Sequence, residues 1–155
     1  MSRASRQADA EQELARARAG VIEATGPVVA DLVQQVSGTL RFSQGRYNPC
    51  ANDLGGPTAY SWSVRGRVDL ADGAGVDPEA AVARAAELLA GHGFTIDADQ
   101  TMAQRVVATR GPVRVMVECL SGAAALVFTG SDDTCFELGR ERARAYAGAD
   151  PDPLG

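Results

Sequence analysis

The chain has 155 residues, a formal net charge of −5 and an apolar share of 45%, with aromatic residues making up only 5%. That length accommodates one domain with its own core. The acidic balance and thin aromatic content exclude a nonspecific nucleic-acid binder, which needs clustered positive charge and stacking surface. All fifteen basic residues are arginines, so no lysine exists for a phosphate-binding P-loop. Arg16, Arg18, Arg140, Arg142 and Arg144 are interleaved with Ala and Glu and read as solvated helix faces. No apolar run is long enough for a membrane-spanning helix and no export signal is recognisable. Taken at face value, the sequence reads as cytoplasmic.

Residues 1–8 read as disordered. From about Ala8 to Val36 apolar residues (Leu14, Val21, Val28, Leu32 and their neighbours) recur at the helical period, and Gly26-Pro27 predicts a kink or a junction of two helices. Thr39–Tyr47 alternates as a strand, 48–57 reads as a loop, and Thr58–Leu70 reads as a second strand with Tyr60, Trp62 and Val64 on one face. Residues 71–76 read as a turn. Asp77-Pro78-Glu79 is a helix start: an N-cap carboxylate, a proline preset for the first turn, and an acid at the positive end. That helix buries Val82, Ala85, Ala86 and Leu89 and stops at Gly91 and Gly93. Short strands then follow at Phe94–Ala98, Arg105–Thr109, Pro112–Cys119 and Ala123–Thr129, joined by tight turns, which predicts an antiparallel meander. The segment 130–133 reads as a loop, Thr134–Leu138 leads into a short helix, and 148–155 reads as a disordered tail. The sum is a single α+β domain over 9–147, a two-layer sandwich of a four- to five-stranded antiparallel sheet with two helices on one face.

Little in the chain assembles a reaction. Cys50 and Cys135 fall in segments read as loops, which favours a structural bridge over a catalytic pair. Cys119 competes as a partner for either, and connectivity is not readable from sequence. Strand parity aligns Cys119 with Val113, Val115 and Val117, the setting of a buried free thiol acting as a small hydrophobe. Widely spaced cysteines and a single histidine, His92, exclude a zinc site, and His92 reads as a helix-end residue. Asp97, Asp99, Asp132 and Asp133 read as turn formers, lacking the pattern of a calcium loop. No nucleophile elbow or dinucleotide-binding glycine pattern occurs. No cofactor and no metal are expected. Tyr47, Tyr60 and Trp62 are the candidates for a ligand or partner surface, against core or edge packing as the ordinary role of alternating aromatics.

The chain also carries, in order, an amphipathic first helix, Cys50, the strand with Trp62, D-P-E-A-A-V at Asp77–Val82, L-L-A-x-x-G-F at Leu88–Phe94, and T-C-F at Thr134–Phe136. In that order it resembles the mature region of small actinobacterial cell-envelope lipoproteins, over about Ala15 to Leu138. The resemblance implies that Cys50 pairs with Cys135 and that the domain works outside the cytoplasm. It also implies anchoring through a lipidated N-terminal cysteine that the sequence lacks, while Cys119 departs from the pattern. The expected function is a non-enzymatic envelope domain binding an unknown protein or small ligand, and not nucleic acid. The alternatives are an intracellular adaptor using the first helix and an unrecognised hydrolase.

Overall fold

A computed structural model of the chain describes residues 2–71, 77–120, 122–151 and 153–154. The expected turn over 71–76 therefore falls largely outside the described residues. Helices α1 (Arg3–Gln35) and α2 (Pro78–Gly91) cover a sheet of β1 (Thr39–Asp53), β2 (Gly56–Asp69), β3 (Thr95–Ile96), β4 (Arg105–Arg110), β5 (Val113–Cys119), β6 (Ala125–Glu137) and β7 (Ala149–Pro151). A short helix α3 (Arg140–Ala143) and a 3-10 turn (Arg144–Tyr146) lead into β7. The strand order is β3-β4-β5-β6-β2-β1-β7, with every neighbouring pair antiparallel. The α+β class and the antiparallel sheet match the sequence reading. The sheet has seven strands where four to five were expected: the short strand expected over Phe94–Ala98 forms one edge as Thr95–Ile96, and the tail, expected to be disordered, adds β7 at the other.

Helix α1 begins at once after Ser2, whose hydroxyl accepts from the Ser5 amide. Residues expected to be disordered are thus helical from Arg3. Its buried stripe is Leu14, Ala17, Val21, Ala24, Thr25, Val28, Val29 and Leu32. The expected break at Gly26-Pro27 does not occur, and the helix continues through Pro27. Proline removes the bond to the carbonyl four residues back, that of Glu23. Pro27 and Glu23 both lie on the exposed side of the helix, and packing of the opposite stripe carries the helix through. In α2 the Asp77 carboxylate accepts from the Ala80 amide, and Ala81, Val82, Ala85 and Leu89 are buried. Both helices share one core with one face of the sheet, including Trp62, Val64, Val106, Val115, Leu126 and Phe128.

The expected loop over 48–57 is instead the far end of a hairpin whose strands pair to Asp53 and Gly56. Pro49 is tolerated because β7 pairs only with Gln44–Arg46, so β1 is an edge strand where Pro49 sits. The expected loop over 130–133 is likewise strand, with Gly130 paired to Val64 and Val115. Gly130 has a packing role, since a Cβ there would collide with the Thr25 side chain of α1.

Thr25 is fully buried, and its hydroxyl has no hydrogen-bond partner among the described residues. A buried unpaired hydroxyl costs on the order of 1 kcal/mol or more. Thr25→Val keeps the shape and removes the hydroxyl. Chemical denaturation should show the variant more stable than the parent by about 1 kcal/mol. An equal loss of stability would mean that the hydroxyl is bonded in solution.

Candidate functional site

The two cysteines expected in loops lie in strands. Cys50 is in β1 and Cys135 in β6, and they are joined by a disulfide with their Cα atoms 5.9 Å apart. These strands are not neighbours, since β2 runs between them. In a flat sheet, strands two places apart are separated by roughly 9.5 Å. The gap is closed by irregularities in both ladders. The β1–β2 register shifts between Pro49 and Ala51, leaving Cys50 as the extra residue. The β2–β6 register shifts between Tyr60 and Trp62, whose partners are Phe136 and Asp132, so Asp133, Thr134 and Cys135 bulge out opposite Ser61. Bulges bend and twist their strands, and here they curl β1 and β6 toward each other across β2. Both cysteines are nevertheless solvent-exposed.

Of the three aromatic candidates, the structure brings Tyr47 and Tyr60 together and takes Trp62 out of reach. Tyr47 and Tyr60 line an open cavity of about 440 Å³ with Gln44, Arg46, Pro49, Ala147 and Gly148. Tyr60 is itself almost wholly buried. Tyr146, from the 3-10 turn, completes an aromatic cluster, edge-on to Tyr47 at 4.8 Å and 6.2 Å from Tyr60. Burial pushes the Tyr47 hydroxyl above its ordinary value, and the nearby Asp150 carboxylate adds to the shift. Trp62 is fully buried. Its indole nitrogen donates to Asp150 Oδ2 at 3.3 Å, and Arg18 Nε donates to the same oxygen at 2.6 Å. The Arg18 guanidinium also lies 5.4 Å from the Trp62 ring. A Cβ at Gly45 would come within 2.6 Å of Trp62 Cζ2 and 3.0 Å of the Asp150 carbonyl oxygen, so glycine is what lets β7 close over the indole. Asp150 lies in the tail expected to be disordered, which forms β7 and sends the Leu154 amide to Ser43 Oγ.

A cleft of about 890 Å³ lies between the start of α1 and α3. Its walls carry Arg3, Arg6, Arg140 and Arg144 against Glu13, Asp53, Glu137 and Glu141. Arg140 is held by Asp53 at 3.1 Å. Such a balanced lining selects neither anion nor cation. Cys119 is a half-buried free thiol. Burial raises its pKa first, and the Glu79 and Asp77 carboxylates raise it further, which is opposite to the shift a nucleophilic thiol needs. The His92 imidazole is engaged by Asp31 Oδ2 at 2.7 Å. No cluster of three or more His, Cys, Asp or Glu side chains suited to a metal occurs among the described residues.

No protein-family model, curated protein or solved structure matches the chain.

A second tie between the tail and α1 yields a pH prediction. Glu11 accepts from the Tyr146 hydroxyl at 2.6 Å and from Arg142 at 2.7 Å. These partners, Tyr146 foremost, hold its carboxyl below the ordinary 4.5. A carboxylate favoured in the folded state stabilises at pH above its unfolded value, and that contribution fades as pH falls through the lower folded value. Glu11→Gln should therefore be less stable than the parent at neutral pH, with the difference shrinking below about pH 4.5. Thermal melts of both proteins across pH 3 to 7 read this directly, and a difference independent of pH would remove the ionic role of Glu11.

Proposed function

We propose that the chain is a non-enzymatic, extracytoplasmic domain of the cell envelope, lipoprotein-like, that binds a protein partner or small ligand. The observation that carries this reading is the exposed Cys50–Cys135 bridge. A cross-link open to solvent is open to cellular thiols and persists where the surroundings are oxidising. The resemblance to small actinobacterial envelope lipoproteins implies the same pairing and the same location. No helix of the described residues is long and apolar enough to cross a membrane.

The two alternatives have less behind them. An adaptor that presents α1 to a partner needs a free apolar face, and the apolar stripe of α1 is consumed by its own core. A thiol hydrolase needs an activated cysteine, and the surroundings of Cys119 act the other way.

Fractionation of cells producing the protein from its native gene tests the location. The protein should partition with the envelope or the medium, separate from a cytosolic marker enzyme. Recovery with the cytosol would overturn the proposal.

A further inference from the structure

The sheet face opposite the helices carries a charge pattern at odds with the acidic chain. Strand alternation and register set its rows. One row reads Arg46, Ser63, Ser131, Arg114, Thr109 across β1, β2, β6, β5 and β4. The next reads Gln44, Arg65, Thr129, Met116, Val107, and the third Phe42, Arg67, Val127, Glu118, Arg105. Glu118 is the one acid in these rows, against five arginines. Arg67 is neutralised by Asp69 at 2.7 Å. Among the described residues, Arg46, Arg65, Arg105 and Arg114 have no carboxylate within salt-bridge distance; the side chains of Arg105 and Arg114 bond to the backbone carbonyl and side-chain amide oxygens of Gln100. On a chain of net charge −5, four guanidinium groups outside any salt bridge on one face, with Glu118 opposite Arg105 as the single acid among the rows, are a segregated charge.

Between them lies an apolar floor. No helix covers this face, yet Val107 is 1% and Val127 7% exposed. Val127 is paired with Arg67 and Glu118, side chains long enough for their stems to shield it while the charged ends stay in water. A register shift at Arg41 turns Phe42 onto the same face, where it is 45% exposed. Five strands at about 4.8 Å spacing give a surface about 20 Å across, wide enough for a helix to lie along it.

We infer that this open face docks an acidic protein segment, a helix or strand bearing glutamates or aspartates with apolar residues between them. Planar guanidinium groups match carboxylates in two-pronged bonds. Arginine, methionine and an aromatic over a shielded floor is the composition of a protein interface. A nucleic-acid platform would need several stacking aromatics, and Phe42 is the single aromatic in the three rows. The inference rests on the reading of the chain as a binding domain and names the chemistry of its partner.

The test uses the whole chain and a fluorescent synthetic peptide of glutamates with leucine at every third or fourth position, titrated at low salt. Saturable binding is expected, weakening with added salt. It should fall by about tenfold or more in an Arg65→Glu/Arg114→Glu variant and similarly in Arg46→Glu, with circular dichroism unchanged. Arg84→Glu, on the helix layer, should bind as the parent does. Absence of peptide binding, equal weakening by Arg84→Glu, or binding of polyphosphate or anionic vesicles with none of the peptide would each overturn the inference. Cell fractionation is independent of this result, so failure of the peptide test leaves the envelope reading standing and the reverse also holds.

Discussion

One covalent constraint organises the molecule: the sulfur bridge that ties β1 to β6 over the back of β2. It joins positions 85 residues apart in the chain, so α2 and the whole β3–β5 meander lie inside the loop it closes. In the chain-entropy account, a loop of that size removes about 4.5 kcal/mol of unfolded-state freedom, a large part of what a domain this size has in hand. The bulges at Cys50 and at Asp133–Cys135 follow from the same constraint, because a flat sheet would hold the two strands too far apart. The hairpin β1–β2 and the strand β6 are thereby fixed as one curled unit on which the rest of the sheet is built.

The second organising element is the return of the C-terminal segment to α1. Tyr146 and Arg142 meet Glu11 near the start of the helix, and Asp150 meets Arg18 two turns further along. Between these two ties the segment packs its tyrosine against Tyr47 and lays β7 on the free side of β1. Trp62, the largest buried side chain, is thus enclosed from three directions: by α1 through Arg18, by β7 through Asp150 and by β1 through Gly45. Its indole nitrogen would otherwise be a buried donor without an acceptor, which is costly. The tryptophan therefore acts as a structural pivot.

Much of this was legible where local chemistry and long-range packing agree. The Asp77-Pro78-Glu79 start, the stripe of α1 and the alternating meander from Arg105 to Thr129 all appear where their patterns put them. The failures share one cause. Asn48–Pro57 and Gly130–Asp133 have turn-like composition, yet pairing with β2 makes them strand, and a proline is harmless where β1 has no further neighbour. Pro27 fails to break α1 because its side of the helix faces water. The tail composition gives no sign that Asp150 has a buried indole to meet. Of the candidate site residues, the cysteine pair was readable in kind though not in setting, and Trp62 takes the core-packing role that alternation made its ordinary one, since strand parity tells which face a side chain takes but not what covers it. The arginines of the open face were within reach of the same parity argument, since Arg65, Arg67, Arg105 and Arg114 all oppose core residues in their strands.

These features fit a small domain whose framework is held covalently and whose uncovered sheet is left for recognition. Its helix layer is spent on the core, and its one free thiol is placed to be inert. The account depends on which sulfurs are joined. Mass spectrometry of a non-reducing proteolytic digest, made after blocking free thiols, measures that directly. The account predicts one linked pair of peptides, containing Cys50 and Cys135, with Cys119 carrying the blocking group. A link to Cys119, or blocking groups on all three cysteines, would contradict it.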